Sequence, residues 1–268
     1  MPIHRPRRRF GQHFLTDRSV VERIVAAIAP QPDDVVVEIG PGRGALTGPL
    51  AGRVGHLHVI EIDRDLARAL AERFPAERVT VHAGDALAFE YGHLPQPLRL
   101  VGNLPYNIST PLLFALTPYA DRIVDAHFML QLEVVERMVA PPSTPAYGRL
   151  SVMLQYRFAM ERVLRVPPGA FSPPPKVESA LVRMIPRPVG ALGARDAATL
   201  AAVVTAAFTK RRKTLRNALA GLAGAEELAR LGIDAGLRPE NLAVADYVAL
   251  ANAVAARGAQ PRSTSSIL

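Results

Sequence analysis

The run Val35-Val36-Val37-Glu38-Ile39 stops abruptly at Gly40-Pro41-Gly42-Arg43-Gly44-Ala45. Five mainly apolar residues bounded by glycines read as a strand buried on both faces, followed by a tight turn. Glycine at that turn lets the backbone bend sharply and approach a ligand closely. Residues 45–50 then resume as helix. A strand, a glycine turn and a helix in that order open an α/β sheet, and the chain continues the alternation. Residues 57–62, 79–81, 98–101 and 126–130 read as further strands, with a helix over 66–74. The alternation predicts a parallel sheet covered on both faces. Residues 151–158 and 180–185 read as a terminal pair of strands.

Ahead of the first strand, Asp17 is placed to cap a helix carrying Val20, Val21, Ile24, Val25 and Ile28 at helical spacing. Composition shifts near Pro186-Arg187-Pro188-Val189-Gly190, after which Ala- and Leu-rich helical stretches follow without a convincing strand. The expected organisation is an α/β Rossmann-like domain over 1–188 and a small all-α domain over 189–268, with 257–268 as a frayed tail. A chain of 268 residues with 49% hydrophobic content suits that size.

Several chemistries are excluded. No cysteine is present, which removes disulfides, thiolate zinc sites and cysteine nucleophiles. The seven histidines are scattered. His56 and His58 would share one face of a strand, but the expectation is that no metal is bound. No run of 18 apolar residues occurs, and the basic start at 1–10 lacks the apolar core of a secretory signal. A cytoplasmic location is expected, with no membrane partner.

The glycine turn by itself leaves the cofactor open between a nicotinamide dinucleotide and S-adenosylmethionine, since Gly40, Gly42 and Ala45 also match the dinucleotide fingerprint. Glu61 and Asp63 end the next strand, where a carboxylate can accept hydrogen bonds from both ribose hydroxyls. Two features favour S-adenosylmethionine. Glu38 precedes the glycines in the E-x-G-x-G-x-G form, and Asp85 follows the third strand where it can accept from the adenine amine of the cofactor.

Asn103-Leu104-Pro105-Tyr106 sits where the fourth strand should end, on the edge that faces the ligand crevice. An exocyclic amine on adenine is a poor nucleophile because its lone pair is delocalised into the ring. Two acceptors, the Asn103 side-chain oxygen and the Leu104 carbonyl, would favour a tetrahedral nitrogen whose lone pair points at a sulfonium methyl. Pro105 holds Leu104 extended, and Tyr106 offers a face for an extruded base. The plain alternative is a strand-end turn with a proline breaker.

The charge pattern points to a polyanion. The net charge is +8, and 29 of the 32 basic residues are arginine, a ratio that a GC-rich genome also produces. Lys210, Arg211, Arg212, Lys213 and Arg216 place five cations within seven residues, too many for one helix face. Phosphate contact explains such a block better than a solvated face does. Arg7, Arg8 and Arg9 form a second candidate RNA contact.

Taken together, these stretches resemble the KsgA/RsmA family of ribosomal RNA adenine dimethyltransferases. The likeness runs from about Arg9 to Tyr247. It rests on Arg9-Phe10-Gly11-Gln12-His13-Phe14-Leu15, the glycine turn, residues 103–111, Tyr147-Gly148-Arg149-Leu150-Ser151, Phe171-Ser172-Pro173-Pro174-Pro175-Lys176-Val177 and Arg211-Arg212-Lys213-Thr214-Leu215-Arg216-Asn217. The resemblance implies a Rossmann-like S-adenosylmethionine-dependent methyltransferase domain with a helical C-terminal domain. It implies transfer of four methyls to two adjacent adenosines near the 3′ end of 16S rRNA, within the 30S subunit or its precursor; a monomer is expected. The product would be S-adenosylhomocysteine. By motif match, cofactor contacts fall on His13, Leu15, Gly40, Glu61, Asp85 and Asn103, with Gly42 in the turn. His13 stands where the family motif has Asn. The resemblance also implies that Phe171 packs the target base opposite Tyr106. The rivals are a macrolide-resistance dimethyltransferase acting on large-subunit rRNA, a DNA adenine methyltransferase, a non-catalytic RNA-binding assembly factor and, remotely, a nicotinamide oxidoreductase. The stretch 211–217 and Leu104 favour the ribosome-assembly family.

Overall fold

The computed structural model describes residues 12–258, so Arg7, Arg8 and Arg9 lie outside the described residues. Two compact units emerge, 12–136 with 157–186 and 137–156 with 187–258.

The first unit is built on a seven-stranded sheet. Five strands are parallel: β2 (Val35–Ile39), β3 (Leu57–Glu61), β4 (Val79–Ala83), β5 (Leu98–Asn103) and β6 (Ile123–Gln131). β9 (Ser179–Pro186) runs antiparallel to β6, and β7 (Phe158–Val166) antiparallel to β9, giving the order β4-β3-β2-β5-β6-β9-β7. β2 is buried at Val36, Val37, Glu38 and Ile39 in succession, so both sheet faces are covered. From β2 the chain first steps outward to β3 and β4, then returns to the other side of β2 with β5. That reversal opens a crevice at the carboxyl ends of β2 and β5.

The helices α1 (Arg18–Ile28), α2 (Thr47–Ala51) and α3 (Arg64–Arg73) follow the sequence pattern closely. Two more, α4 (Ser109–Ala115) and α5 (Leu132–Val139), come after β5 and β6. Asp17 caps α1 by accepting from the Ser19 and Val20 amides, and the five apolar residues expected on its inner face are all buried. At the other end of α1, Arg99 on β5 donates to the carbonyls of Ile28 (2.8 Å) and Ala29 (3.2 Å). The same guanidinium pairs with Asp34 at 2.6 Å and with buried Asp125 at 2.7 Å. One side chain thus ties α1, the turn before β2, β5 and β6 together.

A separate two-residue ribbon pairs β1 (Phe14–Leu15) with β8 (Phe171–Ser172), in the register Phe14↔Ser172 and Leu15↔Phe171. It brings the start of the described chain beside the segment that precedes β9.

The terminal pair of strands is shifted from expectation. Residues 149–157 form helix α6 (Arg149–Arg157), and the partner of β9 is β7, which begins only at Phe158. α6 buries Leu150, Ser151, Val152 and Leu154, residues on more than one side, so it lacks the polar stripe that marks a helix in sequence. α6 up to Tyr156 belongs to the second unit, as does 137–156 as a whole, because Tyr147 and Val152 pack into that unit's apolar cluster. A single boundary near 188 does not capture this excursion. The cluster is completed from α7 (Ala197–Thr209) by Leu200, Val203 and Val204, from α8 (Leu215–Ala218) by Leu215, and from α10 (Val244–Gly258) by Tyr247 and Leu250. The regular elements of the unit's described residues are all helices, with α9 (Ala225–Arg230) between α8 and α10.

Arg99→Ala strands a carboxylate, Asp125, that is 2% exposed. Leaving one partner of a buried ion pair uncompensated costs about 3–5 kcal/mol. The urea midpoint of the variant is expected to fall accordingly. An unchanged midpoint would show that the Arg99 cluster is not what joins α1 to the sheet.

Candidate active site

The crevice between β2 and β5 is an open cleft. Its walls come from β1, the glycine turn, the end of β3, the turn after β4 and the end of β5. All seven residues expected to contact a cofactor line it: His13, Leu15, Gly40, Gly42, Glu61, Asp85 and Asn103. Leu104, Pro105 and Tyr106 line it as well.

The glycine turn is shaped by its neighbours. Gly42 has φ +56, and a Cβ there would lie 3.0 Å from the Phe14 ring. Arg43 stacks on the same ring, its guanidinium carbon 4.4 Å from the centroid. The Gly42 amide donates to Glu61 Oε2 at 3.0 Å, and the Asp63 amide to Glu61 Oε1 at 2.9 Å. Glu61 therefore clasps the turn to the end of β3 and keeps its other lone pairs toward the cleft. Burial raises its carboxyl above the ordinary range, against those two hydrogen bonds. Asp63 serves the backbone instead, capping α3 through the Asp65 amide, and does not line the cleft. Asp85 accepts from the Leu87 amide at 2.9 Å, which fixes the loop and presents the carboxylate at the rim.

Glu38 lies deeper. It is 2% exposed, and Thr47 Oγ1 donates to its Oε2 at 2.6 Å. Burial, with the Glu61 charge adding to it, pushes the Glu38 carboxyl up to about 8 despite the Thr47 hydrogen bond. It is a neutral acid at pH 7.

Gly102 sets the distance between the two halves of the cleft. A Cβ on it would lie 2.4 Å from Ile39 O, so β5 can approach the end of β2 only with glycine there. The next residue, Asn103, donates from Nδ2 to His13 O at 2.9 Å. That bond fixes the amide and leaves Oδ1 as its acceptor. Leu104 is held by its amide donating to Met129 O at 3.1 Å, and its side chain is buried. Tyr106 Oη is 2.7 Å from Ser179 Oγ, and the Tyr106 ring stacks on His13 with centroids 5.6 Å apart. Sequence reasoning missed Ser179 and the stacking. Neither has a local signal, since both partners are distant along the chain.

Phe171 lies off the cleft lining. It is 4% exposed and belongs to the apolar cluster under the sheet. The ribbon register is the cause: pairing opposite Leu15 turns Phe171 into that cluster, which also holds Val166 and Leu181. Ala170, just before it, is bound through its carbonyl by the Thr16 amide at 2.8 Å.

The cationic stretch also departs from the helical reading. Lys210 ends α7, and 211–214 form a turn before α8. Lys210, Arg212, Lys213 and Arg216 are exposed. Arg211 is half-buried, donates to Pro145 O at 2.8 Å and lies 3.7 Å from Glu240, so it does have an acidic neighbour. His56 and His58 do share a face, with rings 4.9 Å apart, and His58 Nδ1 lies 3.2 Å from His82 Nε2. Among the described residues no group of three or more His, Asp or Glu is arranged to hold a metal ion, and no helix is long and apolar enough to cross a membrane.

A doubly wound sheet, a glycine turn clasped by a strand-end carboxylate, and an Asn-Leu-Pro-Tyr corner across from it define a Rossmann-like methyltransferase that uses S-adenosylmethionine. The chain belongs to the family described as ribosomal RNA adenine dimethylase, which it matches over residues 3–256. It is 62% identical over 261 residues to the ribosomal RNA small subunit methyltransferase A of Chromobacterium violaceum, covering 97% of this chain and all of that protein. A dimethyladenosine transferase from Plasmodium falciparum shares the structure with TM-score 0.80 at 25% identity, covering 92% of this chain and 98% of that one. The 23S rRNA methyltransferase ErmE is also similar, with TM-score 0.69 at 29% identity, over 90% of this chain and 99% of that one.

Glu38 yields a prediction with a definite sign. The native state holds its proton up to about 8, whereas the ordinary carboxyl value is 4.5. Its contribution to stability is complete below the unfolded value and is lost as pH rises through the folded one. Glu38→Gln keeps a neutral hydrogen-bonding group. Melting curves between about pH 5 and 9 should therefore slope downward for the native protein and less so for the variant. Parallel slopes would contradict the assignment of a protonated Glu38.

Proposed function

We propose that this protein dimethylates the N6 amines of two adjacent adenosines near the 3′ end of 16S rRNA, in the 30S subunit or its precursor, as a step of subunit biogenesis. The observation that carries the reading is the orientation of Asn103. Its Nδ2 is committed to His13 O, which leaves Oδ1 as its acceptor, and Asn103 and Leu104 both line the cleft.

The cleft suits S-adenosylmethionine in its donor set and shape. Glu61 would take the ribose hydroxyls and Asp85 the adenine amine. Ile62, 43% exposed yet part of the lining, offers an apolar surface for the cofactor's base. Gly40 and Gly42 allow close approach, while Leu15 and the main chain of His13 wall the methionine end. When bound, the cofactor supplies an electrophilic sulfonium methyl: the N–C bond forms as the S–C bond breaks, sulfur keeps the electron pair, and the amine loses a proton to solvent. The chain's own contribution is positioning. Asn103 Oδ1 and the Leu104 carbonyl accept the two N–H bonds of the adenine amine and orient its lone pair. Pro105 holds that carbonyl in place, and Tyr106, braced by Ser179, carries the base. No side chain in the cleft needs to act as a strong base before transfer.

The residues over 1–188 carry the chemistry and those over 189–268 hold the RNA. Lys210, Arg212, Lys213 and Arg216 supply the exposed phosphate contacts, joined by Arg211 and, from the basic start of the chain, by Arg7, Arg8 and Arg9. The protein works as a cytoplasmic monomer, and 62% identity to a small-subunit enzyme supports the 30S target over the 23S target of ErmE.

Tritiated methyl from S-adenosylmethionine should enter under-methylated 30S particles and appear as dimethyladenosine. Label confined to 23S rRNA would reject the 30S target. Asn103→Ala removes one of two acceptors and is expected to lower turnover by about 10²–10³-fold, with cofactor binding retained in calorimetry. Near-normal turnover would remove Asn103 from this role. Neutralising Arg212, Lys213 and Arg216 together should weaken 30S binding and reduce the slope of log affinity against log salt by about 2–3. An unchanged slope would return these residues to a solvated surface.

A further inference from the structure

The charges that line the cleft are sorted along the carboxyl edge of the sheet. Glu61 ends β3 and Asp85 follows β4, so these acids lie toward one side. Arg43 follows β2, and among the described residues that line the cleft it is the single arginine or lysine. Neighbouring strands are about 4.8 Å apart, so positions at the ends of β4 and β2, two strands apart, are separated by about 10 Å. Arg43 is exposed, yet its place is set from two sides. Its guanidinium carbon lies 4.4 Å from the centroid of the Phe14 ring. Phe14 is itself fixed: it is 6% exposed, is paired with Ser172, and lies so close to the turn that a Cβ on Gly42 would be 3.0 Å from it. Behind the turn, Arg73 Nη1 donates to the Arg43 carbonyl at 3.2 Å. Stacking engages the face of a guanidinium, whose N–H donors lie in the plane around its edge. A cation presented in this way suits a carboxylate, which can accept from two of those donors at once.

We propose that Arg43 receives the α-carboxylate of the cofactor's methionine, and so fixes which end of the cleft the amino-acid tail occupies. This deepens the cofactor placement given above and rests on it. The two ends of S-adenosylmethionine make opposite demands. Its ribose hydroxyls and adenine amine donate hydrogen bonds, whereas its carboxylate only accepts them. The acids after β3 and β4 meet the first demand, and Arg43 after β2 meets the second. Holding both ends leaves the sulfonium little freedom along the cleft, which is the positioning that methyl transfer needs. An arginine already laid on an aromatic ring also loses less side-chain freedom on binding than a mobile one. A phosphate of the RNA would pair with the same guanidinium. The carboxylate is favoured because Arg43 shares its cleft with the residues that take the rest of the cofactor.

The test is calorimetry on the full-length protein without RNA, using S-adenosylmethionine and its decarboxylated form. The second ligand keeps the sulfonium and the amine and lacks only the carboxylate. The native protein should bind S-adenosylmethionine about 5- to 30-fold more tightly than the decarboxylated form, as befits a charge-assisted pair open to solvent. Arg43→Met keeps an unbranched side chain for Phe14 and removes the charge. It should lose most of that preference, with the loss falling on S-adenosylmethionine. Arg43→Lys keeps the charge without the fork and should retain part of it. The proposal is overturned if Arg43→Met prefers S-adenosylmethionine as strongly as the native protein does. It is also overturned if Arg43→Met weakens both ligands by the same factor, which would make Arg43 a brace of the glycine turn. A third contrary result is unchanged cofactor affinity in Arg43→Met with weaker 30S binding and a flatter salt dependence, which would assign Arg43 to an RNA phosphate. If the native protein binds neither ligand, the cofactor placement itself fails, and the native titration reads that result on its own.

Discussion

The carboxyl ends of β2 and β5 lie so close that no side chain fits between them. Gly102 is the point of contact, with a hypothetical Cβ 2.4 Å from Ile39 O. Everything chemical in the molecule is arranged around this approach. It sets the glycine turn that leaves β2 against the Asn103 corner that leaves β5. A cofactor's reacting atom and an acceptor amine can meet only if those two backbones end at the same level and a few ångströms apart. The parallel register, Glu38 beside Val101, secures the level, and glycine secures the distance.

Around that axis, polar side chains are used to fix backbone as much as to bind ligand. Glu61 accepts from Gly42 and Asp63, Asn103 donates to His13, Asp85 shapes its own loop, and Arg99 clamps α1 to the sheet from below. Several are buried acids held near one another, which costs folding free energy, and the Glu38 carboxyl escapes the worst of it by staying protonated. Residues that both brace a turn and face a ligand keep the cleft preformed, so little ordering is left for the moment of binding.

Much of this was legible in the sequence because the signals are local. The strand-glycine-helix unit, the Asp17 cap and the Asn-Leu-Pro-Tyr corner each occupy a few neighbouring residues, and their types carry backbone requirements. The failures share one cause, dependence on distant partners. Residues 151–157 form a helix buried on several sides, whose apolar content has no period to read. Nothing in the sequence around Phe171 shows that strand pairing with Leu15 buries it. Arg211 looks like one of five equal cations until Glu240 is brought beside it. The His13 departure was visible as a changed letter, but its meaning depends on where Tyr106 and Pro173 lie.

The short ribbon of Phe14-Leu15 with Phe171-Ser172 has a consequence for how the molecule comes into being. His13 and the carbonyl that holds it, Pro173, are 160 residues apart. During translation the glycine turn and the Asn103 corner emerge early and can pair as soon as β5 follows β2. The segment that closes over them is made first; its contacts with Asn103 and the glycine turn can form early, but its strand partner arrives only when the chain has grown past residue 172. A nascent or prematurely terminated product therefore carries the motif letters without a finished catalytic face, and competence arrives late and all at once.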